Sequence, residues 1–249
     1  MTDGGGRWLA IDTALETASV AVGSPPLTAS ATWVRGARQH AAQVIDLVDR
    51  CLAADGEGRS SRDLEGIVVG DGPGSFTGLR IGWAAAKGLM QDRDLPLVAI
   101  PSLLAAAASA AAVLGAVPVA ACYDALRGQV YGAVYIVHPD RVEILVAPDV
   151  YTVAQLAERT PVRPRLAVGD GAIRYASDIT RWVGNAPLGL ESLTPTAASL
   201  LALVHRAGAE RAITDPATAE PVYGRPAEAQ VKWEARHGRP LPDSPGTTR

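Results

Sequence analysis

The sequence predicts an α/β fold built of two similar halves. Two observations predict it, and a third joins them. Three strand-like runs follow one another through short connections, and helix-like and strand-like segments then alternate. The whole order occurs twice along the chain.

In the first half, "RWLAIDTA" (7–14) is a short apolar run broken at an aspartate. "TASVAVGS" (17–24) is a second run of small and β-branched residues, and "LTASATWVR" (27–35) alternates as a half-buried strand does. Connections of a few residues predict an antiparallel meander. Residues 37–54 place Ala41, Val44, Ile45, Val48, Cys51 and Leu52 at helical spacing. After the polar loop "GEGRSSRD" come a buried strand, "LEGIVVG" (64–70), and a glycine-rich turn, "GDGPGSFTGLRIG" (70–82). A helix from about Thr77 to Gln91, the strand "LPLVAI" (95–100) and an alanine-rich helix after Pro101 complete this half.

The second half repeats the order. "VPVAACYDA" (117–125), "QVYGAVYIV" (129–137) and "RVEILVA" (141–147) are strand candidates. A short helix (152–159), a strand ending in glycines (163–171), a helix (172–183) and a last long helix (194–210), capped by Thr194 or Thr196, follow. This order matches the duplicated ribonuclease-H-like fold of actin-like ATPases and sugar kinases, an α/β fold of two subdomains. The halves are expected at 1–112 and 113–234, with a Pro-, Gly- and Ser-rich tail at 235–249 predicted to be disordered.

Composition narrows the function. Apolar residues make up 48% of the 249, charged residues 20%, and the net charge is −3, so no overall basic field draws the chain to nucleic acid or anionic lipid. Cys51 and Cys122 lie far apart in no CxxC spacing, which points to a reducing compartment. No signal-peptide core opens the sequence. The uncharged stretch Leu95–Tyr123 is broken by Pro101 and Pro118. The helix between them reaches about 24 Å, short of a bilayer core of about 30 Å. A buried helix and a cytoplasmic protein are expected.

Two turns are candidate phosphate loops. In an actin-like ATPase the turn after the first strand wraps the phosphates, and its aspartate holds magnesium through water. Here that turn is "DTALET", with Asp12 and Thr13 followed by Leu15, which offers no donor, and Glu16, which repels an anion. A strand-end aspartate capping a hairpin is the simpler reading. The second turn presents Gly72, Pro73, Gly74, Ser75, Phe76, Thr77, Gly78 and, beyond them, Arg80. It lacks the Lys-Ser or Lys-Thr of a Walker A loop, and Asp71 brings a negative charge into it. Ser75 or Thr77 can cap the following helix, whose N-terminus suits an anion. A tight strand-to-helix turn needing glycine for close packing is the competing reading. His40, His138, His205 and His237 form no i, i+4 pair, and "GPGSF" misses the spacing of a nucleophile elbow.

"GPGSFTGLRIG" (72–82), with "LAIDTALETASVAV" (9–22), "CYDALRGQVYGAVY" (122–135) and "EPVYGR" (220–225), resembles the bacterial TsaB (YeaZ) family of tRNA threonylcarbamoyladenosine biosynthesis proteins, over about residues 7 to 234. The resemblance implies a non-catalytic paralogue of the TsaD-like transferase, which places a threonylcarbamoyl group on the adenosine beside the anticodon. The metal-binding histidines of that catalytic paralogue correspond to about Ser102 and Ala106, so no metal site is implied. No cofactor is expected, with weak residual nucleotide binding left open. Implied partners are a TsaD-like subunit, a TsaE-like ATPase through the complex, and a second copy of the chain when alone. tRNA is met only indirectly, and no membrane is involved. Two departures stand out: "DALRG" (124–128) where the family has Asp-Ala-Arg, and Gly224 where it has a large apolar residue, which predicts looser C-terminal packing. The competing functions are an actin-like phosphotransferase, weakened by Leu15, Glu16 and Asp71, and a metallopeptidase, which lacks its histidine pair.

The helix at 77–91 carries two apolar stripes, and the neighbouring helix at 37–54 adds a third. The expected partner surface is Val44, Leu47, Val48 and Cys51 with Leu79, Gly82, Trp83, Ala86 and Met90, where Gly78, Gly82 and Ala86 give a smooth ridge.

Overall fold

The structure, a computed structural model, describes residues 6–36, 40–56, 60–225 and 236–238. The first half contributes β1 (Trp8–Asp12), β2 (Thr17–Gly23), β3 (Ser30–Arg35), α1 (His40–Ala54), β4 (Gly66–Gly70), α2 (Phe76–Met90), β5 (Leu97–Ile100) and α3 (Ser102–Leu114). The second contributes β6 (Pro118–Asp124), β7 (Val130–Val137), β8 (Val142–Tyr151), α4 (Val153–Arg159), β9 (Leu166–Val168), α5 (Asp170–Arg174), α6 (Ala176–Val183), α7 (Thr196–Leu203) and β10 (Arg211–Ile213). One sheet has the order β10-β5-β4-β1-β2-β3 and the other β8-β7-β6-β9. In each, a meander supplies three antiparallel strands and the helical crossovers supply the parallel ones. This is the duplicated ribonuclease-H-like fold.

The strand period of two builds the layers. Trp8 and Ala10, Val68, Val98 and Ile100 point to the middle of the molecule, whereas Leu9 and Ile11, Ile67 and Val69, Leu97 and Ala99 point outward under α1 and α2. In the second sheet Val119, Ala121 and Tyr123 face the middle, and Ala120 and Cys122 face α4 and α6. Strands covered on both faces read as unbroken apolar runs, as β1, β4 and β5 do. Between the sheets lie α3 and α7. Ser102 to Ala110 of α3 are all buried, and their small side chains let the helix pack on the second sheet and on α7, which in turn covers the first sheet. The Ser109 and Ser199 hydroxyls bond each other across α3 and α7 at 2.8 Å. No described helix is long and apolar enough to cross a membrane.

The C-terminal third differs from the sequence expectation. The single helix expected at 172–183 is two, broken at Tyr175 (φ −107°, ψ 36°). The long helix expected at 194–210 ends at Leu203. His205 (φ 64°) and Gly208 (φ 79°) take left-handed backbone that no helix continues through. Neither Thr194 nor Thr196 caps it: the cap position is Pro195, which offers no side-chain bond, and Thr196 Oγ1 bonds Ser19 Oγ at 3.0 Å. The chain then returns to the first sheet as β10, antiparallel to β5. Of the tail at 235–249, all but 236–238 lies outside the described residues.

Candidate functional site

The structure brings Asp12, Thr13 and the glycine loop together, and they fill one another. Ser75 N donates to the Ala14 carbonyl at 2.7 Å, and Thr13 Oγ1 donates to the Gly78 carbonyl at 2.7 Å. A Cβ on Gly74 would overlap the Ala14 carbonyl, one on Gly78 the Thr13 carbonyl, and one on Gly82 the Thr13 hydroxyl. Gly72 (φ +91°) has the carbonyl of Val222 where a Cβ would stand. These glycines admit neighbouring stretches of the same chain. Ser75 caps α2, its Oγ accepting from Gly78 N at 3.2 Å, and its carbonyl accepts from Leu79 N at 2.9 Å. Carbonyl oxygens packed against the loop repel an anion rather than receive one.

Asp12 is 4% exposed. Its Oδ1 accepts from Ala14 N at 3.2 Å and Ser102 Oγ at 3.1 Å; burial pushes its carboxyl above the ordinary aspartate value, with hydrogen bonds from Thr196, Ala14 and Ser102 opposing. Ser102 Oγ also accepts from Gly72 N at 3.3 Å, and the Ser102 carbonyl accepts from Tyr123 Oη at 2.8 Å. The Ser102 hydroxyl thus ties the first turn to the glycine loop. Ala106 is fully buried in the middle layer. Among the described residues no group of three or more His, Cys, Asp or Glu side chains could hold a metal.

Two expectations about charge change. Asp71 does not leave a bare negative charge in the loop: Arg211 of β10 grips it with Nη2 at 2.8 Å and Nε at 3.1 Å. Burial raises the Asp71 carboxyl, and Arg211 opposes that rise. Arg80 is engaged by aromatic side chains, its Nε donating to Tyr223 Oη at 3.0 Å and its guanidinium lying 4.5 Å from the Phe76 ring centre.

Two clefts open between the halves. One, about 510 Å³, is lined by Ala14–Glu16, Gly74–Phe76, Tyr123–Arg127, Tyr131, Asp170, Tyr223 and Arg225. The other, about 220 Å³, lies behind the first turn between Trp33 and Arg35 of β3 and Ile173, Leu190 and Leu193 of the second half. Asp170 borders both; its Oδ1 accepts from Gly171 N at 2.8 Å and Asp124 N at 3.1 Å, and burial raises its carboxyl. Sequence reasoning missed Asp170, Arg211 and Arg225. "GDG" at 169–171, repeating the "GDG" at 70–72, is the signal that marks the first of them.

The expected partner surface is corrected outright. Val44, Leu47, Val48, Cys51, Leu79, Gly82, Trp83, Ala86 and Met90 are all buried within this chain. All but Gly82 and Leu79 belong to the core beneath α1 and α2, and Leu79 faces the middle layer. The reason is geometric: two helices side by side on one sheet face share a broad apolar floor, so the stripes counted as surplus meet the sheet and each other. The ridge at Gly78 and Gly82 faces the chain's own Thr13. Positions that do face outward include Ile45 (45% exposed) on α1, and Ala84, Gly88 and half-buried Ile81 on α2. Gly224 also departs from expectation. A Cβ there would stand 2.7 Å from Tyr131 and 2.8 Å from Pro73, so the packing is tight.

Comparison with known proteins agrees with this architecture. The family model for TsaD, tRNA N6-adenosine threonylcarbamoyltransferase, matches residues 35–184. The tRNA threonylcarbamoyladenosine biosynthesis protein TsaB of Escherichia coli is 32% identical over 94% of this chain and 99% of its own length. The Bacillus subtilis protein of the same name is 33% identical over 69% of this chain and 74% of its own. The solved structure of YeaZ from Pseudomonas aeruginosa superposes with a TM-score of 0.70 at 27% identity, covering 88% of this chain and 99% of that one. With such identity along nearly the full length of a relative, the chain belongs to the TsaB family, also called YeaZ.

Proposed function

We propose that this chain is a non-catalytic subunit that supports a TsaD-like threonylcarbamoyl transferase in the cytoplasm. Membership of the TsaB family ties it to tRNA threonylcarbamoyladenosine biosynthesis. The observation that carries the non-catalytic reading is the self-filled loop. The Thr13 and Ala14 carbonyls pack on the glycines where an actin-like enzyme would admit phosphate. Ser102 and Ala106, at the positions that correspond to the expected histidines, are buried in the middle layer and carry no imidazole. No nucleotide or metal is assigned to the chain. The pairing surface is the outward side of α1 and α2, including Ile45, Ala84 and Gly88; it takes the catalytic subunit or, without it, a second copy. A TsaE-like ATPase and tRNA are met through the complex.

The test is reconstitution. The chain and the transferase are purified separately, and tRNA modification is assayed with each alone and with both. Modification only with both is expected, and hydrolysis of ATP by this chain alone, abolished by Asp12→Asn, would overturn the reading.

A further inference from the structure

The chain from β10 to Arg225 crosses from one half of the molecule to the other, and its contacts change owner along the way. Its first part is held by the first half. Arg211 pairs with Asp71, and Lys87 Nζ donates to the carbonyls of Ala219 at 2.7 Å and Ala217 at 3.3 Å. Val222 N donates to the Asp71 carbonyl at 2.8 Å. Tyr223 stacks on Phe76 with ring centres 4.5 Å apart and accepts from Arg80. At Gly224 (φ +73°) the chain passes between Pro73 of the first half and Tyr131 of the second.

Arg225 then belongs to the second half. Its Nη1 donates to the Ala125 carbonyl at 2.6 Å and its Nη2 to Gln129 Oε1. Both acceptors sit in the β6–β7 connection, which takes left-handed backbone at Leu126 (φ 63°), Arg127 (φ 52°) and Gly128 (φ 78°). Two consecutive non-glycine residues in that region cost energy, and such a turn persists where its surroundings hold it. A guanidinium fork bonding two acceptors of one short loop is a geometrically specific fastening. The halves also meet through α3 and α7, whose facing side chains are mostly small and apolar, with the Ser109–Ser199 and Tyr123–Ser102 bonds in the same layer, and through the pairing of β10 with β5. The Arg225 fork adds a directional fastening at the larger cleft.

We propose that residues 220–225 form a latch across the mouth of the larger cleft, holding the two halves in one orientation, with Arg225 as its catch. Tyr223 and Arg225 both line that cleft, so the latch sets its width. The inference is independent of the partner surface proposed above.

The test uses the full chain with spin labels on Gln91→Cys in the first half and Glu158→Cys in the second, both exposed positions. The native Cys51 and Cys122 are fully buried and leave the labelling selective. A narrow distance distribution is expected for the parent, and a broadened or displaced one for Arg225→Ala with helix content retained. Gln129→Ala, which removes only the side-chain acceptor, is expected to broaden it in the same sense and decides the matter if Arg225→Ala does not fold. Folded variants whose distributions superimpose on the parent's would reduce the segment to ordinary packing and overturn the latch.

Discussion

Gly74 and Gly78 separate a packing role from a ligand role more sharply than any other residues. A Cβ at either meets a backbone carbonyl, which cannot swing aside as a side chain can. Each change to alanine should cost roughly 1–3 kcal/mol of stability, read by urea unfolding. Gly88, in the same helix, has open space where a Cβ would go. Its change to alanine should instead gain about 0.5–1 kcal/mol. A Gly74→Ala or Gly78→Ala protein that melts like the parent and binds the transferase, yet fails to support modification, would assign a ligand to the loop.

Asp12 gives a pH prediction at the same scale. Burial raises its folded pKa above the unfolded value. Between those two values the unfolded chain has lost the proton that the folded chain keeps, so this group's contribution to stability falls as pH rises through the window. Asparagine carries no such charge, and its carbonyl can still accept from Ala14 N, while the Ser102 and Thr196 hydroxyls can donate or accept. Asp12→Asn should therefore match the parent in acid and exceed its melting temperature increasingly toward neutral pH. A gap that is constant with pH would show that the carboxyl does not titrate in this window.

At the scale of elements, α1 and α2 each have a buried and an outward side, and the two sides make opposite predictions. Val48→Glu or Ala86→Glu puts a carboxylate into the fully apolar layer on the sheet and should prevent folding. Ala84→Glu, on the outward side, should leave the melting temperature within a few degrees of the parent and abolish self-association and binding to the transferase, as measured by light scattering after size exclusion. A folded Ala84→Glu protein that keeps both pairings would remove this face from the proposed surface. The elements themselves were largely legible, because strands buried on both faces leave unbroken apolar runs and the glycine turn marks the start of α2. Sidedness was not, because an apolar stripe looks alike whether it meets a partner or its own sheet. β10 was illegible for another reason: three residues, with Arg211 and Ala212 exposed, carry no periodicity. The latch was illegible too. Its side chains bond partners far along the chain, Arg80 to Tyr223 and Arg225 to Ala125 and Gln129 lying 96 to 143 residues apart, and no local pattern pairs such positions.

For the whole molecule, the two repeats do not divide into two independent units. The middle layer is one core, taking Trp8, Ala10, Val68 and Ile100 from the first sheet, Val119, Tyr123 and Tyr135 from the second, and α3 and α7 between them. α7 comes from the second half yet packs on β1 and β2, and β10 closes the free edge of β5. A fragment ending at residue 112 would retain every strand of the first meander but lose α7, β10 and the second sheet. That uncovers the inner face of its own sheet, on which α7 packs, and strips α3 of the second sheet it packs against, beside an open strand edge. Large exposed apolar faces and unpaired edges favour association over folding. The fragment should accordingly be aggregated or lack a cooperative melt, whereas the full chain should lose far-ultraviolet dichroism and tryptophan fluorescence in one coincident transition. Trp8 reports the shared core, Trp83 the layer under α2 and half-buried Trp182 the far side of the second sheet, so the fluorescence samples all three layers. A soluble 1–112 fragment with a sharp melt of its own, or two separated transitions in the full chain, would show that the halves fold independently and that the middle layer is an interface between them.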